Sequence, residues 1–136
     1  MKTLGLLAVV AAVACSDPFK PTIEDVSGIY QMQSFTTDSA GVHKDWVAAG
    51  ATMEIWLSPL SDMIGQLIMP LDTTSMLGTW DLSGNTVHLT PDADSFVRDM
   101  DWIVGKDWIS GKDRLSGDEI FGAVRVRVVL KRFVAP

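Results

Sequence analysis

The sequence predicts an all-β domain, an antiparallel up-and-down β-barrel of about eight strands, and three observations carry that prediction. Apolar and polar residues alternate with period two in one run after another. The runs are separated by short links rich in glycine, proline, aspartate and serine, the punctuation of a meander. No sustained helical period interrupts them. A meander has two exposed edges unless it closes, and closure into a barrel removes them. The alternative, a two-layer sandwich with a crossover connection, fits short links less well.

Residues 1–14 stand apart from that pattern. Met1-Lys2-Thr3 is a short basic start, Leu4 to Ala14 is apolar, and small residues precede Cys15, the three parts of a secretory signal peptide. Crossing about 30 Å of hydrocarbon takes roughly 20 apolar residues, and this run is too short. Residues 15–25 contain Asp17-Pro18 and Lys20-Pro21, which deny helix and hydrogen-bond donors, so an extended tether is expected. Residues 26–136 form the barrel domain.

Within that domain, Gly28 to Thr36 reads as the first strand, with Tyr30 and Met32 on one side and Ile29 and Phe35 on the other. Lys44 to Ala49 is compatible with a helical turn that lets Trp46 cap one end of the core. Thr52 to Ser58 alternates cleanly, with Met53, Ile55 and Leu57 opposed to Thr52, Glu54 and Trp56. Met63 to Met69 is its partner, closed by Pro70-Leu71-Asp72. Met76 to Leu82 and Asn85 to Thr90 make a hairpin at Ser83-Gly84, with Trp80 and Leu82 facing Val87 and Leu89. Ser95 to Val104 reads as a long strand turned by Gly105-Lys106-Asp107, and Trp108 to Ser110 begins the next. Gly117-Asp118 precedes the last run, Phe121 to Phe133, where Val124, Val126, Val128 and Leu130 line one face and Arg125, Arg127 and Lys131 the other.

The chain has 136 residues, with seventeen acidic against eleven basic, a net charge of −6. Loss of the leader takes Lys2 with it and leaves 122 residues and a net charge of −7 once the amino terminus is acylated. That length supports one core. The acidic balance disfavours nucleic acid as a partner and repels the domain from an anionic bilayer. Cys15 is the only cysteine, so no intrachain disulfide forms and stability must come from the core.

Ala12-Val13-Ala14-Cys15 resembles a bacterial lipobox. The resemblance implies cleavage before Cys15 and a lipidated Cys15 carrying diacylglycerol on its sulfur, usually with a third acyl chain such as palmitate on the new amino group. Two or more chains hold a soluble domain on a membrane, at about 0.8 kcal/mol for each buried methylene. Ser16 after the cysteine resembles the outer-membrane sorting signal of double-membraned bacteria, which implies a domain facing the periplasm.

Gly28-Ile29-Tyr30, the hairpin Gly78-Thr79-Trp80-Asp81-Leu82-Ser83-Gly84-Asn85-Thr86-Val87, and the run from Val126 to Arg132 are similar to bacterial lipocalin-like lipoproteins. The resemblance implies a barrel whose bottom is closed by Tyr30, standing where lipocalins have tryptophan, together with Arg132 from the last strand. It also implies binding of a small apolar or amphiphilic molecule and not catalysis.

Candidate ligand-binding residues follow from the alternation. On a strand, Phe96, Arg98, Met100, Trp102 and Val104 share one side, so an inward Arg98 would hold a carboxylate or phosphate by a two-pronged hydrogen bond. A structural ion pair, or a bulge turning Arg98 outward, is the plainer reading. Trp80, Trp102, Met53, Met100 and Phe96 supply the soft, aromatic lining of a pocket, or they pack the interior solid. The second case would leave an envelope interaction module that meets another protein through its outer, Trp56-bearing face.

Nothing in the sequence calls for a cofactor or a metal. Pro91-Asp92-Ala93-Asp94-Ser95 lacks the glycine and terminal glutamate of a calcium loop, and His43 and His88 are far apart. No nucleophile elbow, phosphate loop or paired-carboxylate motif stands out, so an enzyme is not expected.

Overall fold

The computed structural model describes residues 20–107 and 112–133; the leader, Cys15, the first part of the tether and the strand start expected at Trp108 to Ser110 lie outside the described residues. One antiparallel sheet contains β1 (Gly28–Ser39), β2 (Val42–Asp45), β3 (Thr52–Leu57), β4 (Asp62–Met69), β5 (Asp72–Ser83), β6 (Thr86–Pro91), β7 (Asp101–Asp107), β8 (Lys112–Phe121) and β9 (Val124–Phe133). From β3 onward each strand pairs with the next. β9 then pairs with β1 from Phe133 opposite Ile29 to Val124 opposite Ser39, which seals the barrel. The other edge of β1 is shared: β3 lies opposite Gly28 to Gln31, and β2 opposite Thr36 to Ser39. The nine strands therefore make a wall of eight staves, and the expected closed antiparallel β-barrel is what forms.

Alternate residues of every stave meet inside. Hydrogen-bond register aligns Tyr30, Ile55, Gly65 and Met76 in one inner row across β1, β3, β4 and β5. A second row aligns Leu82, Val87 and Trp102 across β5, β6 and β7. Trp102, Tyr30, Ile55, Leu57, Met63, Met76, Leu89, Met100, Leu115 and Leu130 are all completely buried. Each such side chain contributes about 1.5–3 kcal/mol of transfer free energy. The expected inward faces of β3 and β9 and the Trp80–Leu89 and Leu82–Val87 pairings are all present.

Both ends of this interior are covered. At the end where the chain enters, Thr22 caps a single helical turn, α1 (Ile23–Val26), in a reciprocal capping box with Asp25. Val26 is buried there, and its carbonyl accepts a 2.6 Å hydrogen bond from the Tyr30 hydroxyl. Arg132 stands opposite Tyr30 in register and donates to the Asp25 carbonyl. Its side chain lies against Gly28, where a Cβ would come within 3.1 Å of Nε, and the φ of 141° at that position favours glycine. At the other end the Phe35 ring meets Trp46 and Phe96, with centroids 6.0 and 5.1 Å away.

Several local expectations are corrected. Phe35 faces inward with Tyr30, because a bulge between Met32 and Ser34 inserts one residue and reverses the alternation beyond it. The tether expected as far as Asp25 ends in α1. The stretch from Lys44 to Ala49 is the end of β2 followed by a turn, although Trp46 still covers that end of the core. Ser95 to Val104 is not one strand: Ser95 caps α2 (Phe96–Asp99), and β7 starts at Asp101 and runs on through Gly105. Helical spacing at that point buries Val97 and Met100 together, which a strand from Ser95 could not do. Gly117 and Asp118 sit inside β8, and the last hairpin turns at Gly122, whose φ of 64° suits a residue without Cβ.

Candidate functional site

The residues expected to line an internal pocket are instead packing atoms. Trp102 and Met100 are completely buried, Trp80 and Met53 nearly so, and half-buried Phe96 lies against Phe35 at the covered end. The two buried indoles are tied by their N–H groups, Trp102 to the Val97 carbonyl at 3.2 Å and Trp80 to the Ser58 carbonyl at 2.8 Å. A barrel of about eight strands has room for its side chains or for one small ligand, and here side chains fill it.

Arg98 does not point into the barrel. It lies on α2, outside, where its guanidinium meets Asp94 at 2.6 Å and Asp99 at 3.7 Å. The inward position expected for it assumed a strand, and the helical turn rotates it to solvent. Tyr30 and Arg132 do come together, at the end closed by α1.

A concavity lies on the outer wall. It has a volume of about 860 Å³ and runs across β1, β3, β4 and β5 to Asp92 beyond β6. Its chemistry follows from register. One outer row aligns Ile29, Trp56, Ile64 and Leu77, all apolar. The adjoining row, two residues along each strand, aligns Gln31, Glu54, Gln66 and Ser75, all polar. Trp56, Ile64 and Leu77 are 45, 47 and 60 % exposed. Met32, Met53, Gly65 and Met76, with Thr52 and Ile68 from the next outer row, complete the described lining.

Two carboxylates border the groove. Glu54 accepts from the Gln31 amide at 3.3 Å, and Asp92 accepts from the Leu77 backbone N–H at 3.0 Å. Among the described residues no arginine or lysine lines it. Alternation along β3 places Trp56 on the outer face, but it does not by itself assemble this group around it. Two signals were available. Between Lys44 and Arg98 there is no lysine or arginine, against the acids Asp45, Glu54, Asp62, Asp72, Asp81, Asp92 and Asp94. In β4, Ile64 and Ile68 are apolar on the face opposite Met63 and Leu67, so that strand is apolar on both sides.

The fold and its outer groove define a small closed antiparallel β-barrel, a shape consistent with lipocalin-like barrels. No protein-family model matches the chain, and no curated protein matches it either.

Proposed function

We propose that this protein is an exported, membrane-anchored lipoprotein whose barrel binds a small amphiphilic molecule on its outer wall. The anchor is the acylated Cys15 read from the lipobox resemblance, and the compartment is the periplasmic side of an outer membrane. The barrel is a solid scaffold. The observation that carries the binding reading is the outer groove: its volume lies within the roughly 300–1,000 Å³ of small-molecule sites, and its apolar row beside a polar row matches a molecule with a tail and a head.

The test uses a neutral amphiphile, decanol, followed by NMR on the intact purified protein. Expected are saturable shifts at the Trp56 indole and the amides of β3, β4 and β5, with the Trp102 indole unmoved. Absence of saturable binding, or shifts centred on Trp102 and Trp80, would overturn the outer site. Cys15→Ala should move the protein from the membrane fraction to the soluble fraction, and unchanged sedimentation with membranes would count against acylation.

A protein partner on the same face is the second reading, favoured by the extension of the apolar row through Ile29 to Phe133, past the groove. Under that reading decanol does not bind saturably, and Trp56→Ala abolishes retention of an envelope protein.

A further inference from the structure

The sign of charge around the groove selects among amphiphiles. Within the groove the polar row beside Trp56 is Gln31, Glu54, Gln66 and Ser75, whose one ionised group is a carboxylate; past Gln31, outside the groove's described lining, the row continues to Lys131 on β9 and Arg114 on β8. Glu54 has glutamines as cross-strand neighbours on both sides and therefore no cation directly opposite it. Past the far end of the apolar row stands a second carboxylate, Asp92. The three strands that carry the groove's apolar row beyond β1, and both turns that join them, contain no lysine or arginine at all.

We infer that the ligand's head is cationic: the groove takes an alkylammonium or similar amphiphilic cation, its tail along Trp56, Ile64 and Leu77 and its head on the Glu54 row. This rests on the outer-wall binding reading and adds the head's chemistry to it. A strand advances about 3.3 Å per residue, so Glu54 and Trp56 on one outer face are about 7 Å apart. A head seated between them has a carboxylate on one side and an indole on the other, and an indole face attracts a cation directly. An anionic head would meet Glu54, Asp92 and the overall −6 charge of the chain, all repulsive. The anion-binding arginine expected inside the barrel is thus replaced by a carboxylate on its outside.

The experiment compares three ten-carbon probes, decyltrimethylammonium, decanol and decanoate, each below its micellar concentration, by titration calorimetry on the intact protein. The expected order is the cation at least tenfold tighter than decanoate, with decanol between them. Added salt at 0.5 M should shrink the cation's advantage. Glu54→Gln should weaken the cation about three- to tenfold and leave decanol unchanged, whereas Trp56→Ala should weaken both. Both positions are exposed, so the variants retain the fold, which circular dichroism checks. If decanol and decanoate bind through Trp56 but the cation binds no tighter than decanoate, the charge inference falls and the outer site stands. If Glu54→Gln leaves the cation's affinity unchanged, the inference also falls. If none of the three binds, both readings fall.

Discussion

Two parts of the barrel wall, β3 to β5 and β8 to β9, are alike inside and opposite outside. Inside, each presents a largely apolar face, Met53, Ile55, Leu57, Met63 and Met76 in one, and Leu115, Val126, Val128 and Leu130 in the other. Outside, β8 and β9 form a lattice of compensated charge. Arg125 grips Asp118 with two hydrogen bonds of 2.9 and 2.8 Å, Arg127 approaches the same carboxylate at 3.8 Å, and Asp38 on β1 is in register with Arg125. On β3 to β5 the outer face carries Trp56, Ile64 and Leu77, with Glu54 between glutamines. The difference teaches that folding constrains the inner face of every stave equally and leaves the outer face open to another purpose. On one side it carries paired charges, and on the other it is a surface of mixed apolar and acidic character.

The comparison can be broken first at the level of the shared interior. Ile55→Ala and Leu130→Ala, one in each wall, should each lower unfolding stability by about 2–5 kcal/mol, read from urea titration. A loss under about 1 kcal/mol in either would show that the two interiors are not equivalent. Next in size is the β1 stave that joins the walls. Tyr30→Phe leaves the Val26 carbonyl without its hydroxyl donor and should cost about 1–3 kcal/mol, again in urea.

The outer faces should respond much less. Trp56→Ala is expected to change stability by no more than about 0.5 kcal/mol while weakening saturable binding of decanol. A large destabilisation would mean that the tryptophan is a structural part of the wall.

The smallest effect concerns Asp118. The hydrogen bonds from Arg125 are the chief cause of its carboxyl lying below the usual carboxylate range. A carboxylate depressed in the native state contributes stability above its unfolded value near pH 3.9, and that contribution is lost as pH falls through the native value. The pair is solvent-exposed and screened, so the contribution is slight. Asp118→Asn should therefore flatten a small part of the stability decline below about pH 4, measured by thermal melts across pH. An unchanged decline would remove the pair from the acid response.

Much of this architecture was legible in the order of residues. The period-two pattern at Thr52 to Leu57 and at Val124 to Leu130 identified strands and their inward faces, because a strand sends successive side chains to opposite sides. The hairpin at Ser83-Gly84 was equally plain. Three features were not legible, each for a physical reason. The bulge near Gln33 is one inserted residue with no side-chain signature, yet it reverses which face Phe35 occupies. The turn of α2 puts Phe96, Val97 and Met100 within four positions of one another, a pattern that strand and helix can both produce in so short a span. The turn at Gly122 competed with Gly117-Asp118, and cross-strand pairing of Asp118 with Arg127 decided between them.

The candidate site was the least legible part. Trp80, Trp102, Met53 and Met100 lie inward as alternation implies, and Phe96, expected inside, lies at the covered end; composition cannot say whether such groups enclose space or fill it. That depends on how eight staves are staggered and on what α1, α2 and the Trp46 turn place over the two ends.

Alternation along each strand is a local property, set by backbone geometry and the cost of exposing apolar surface, so residue order was enough to reveal the barrel and its inner faces. Register between strands is a non-local property, set by which bulge, turn and closure satisfy every backbone hydrogen bond at once. Only the folded wall could align Ile29, Trp56, Ile64 and Leu77 from four strands into one row, place Glu54 between two glutamines beside it, and turn Arg98 away from the interior.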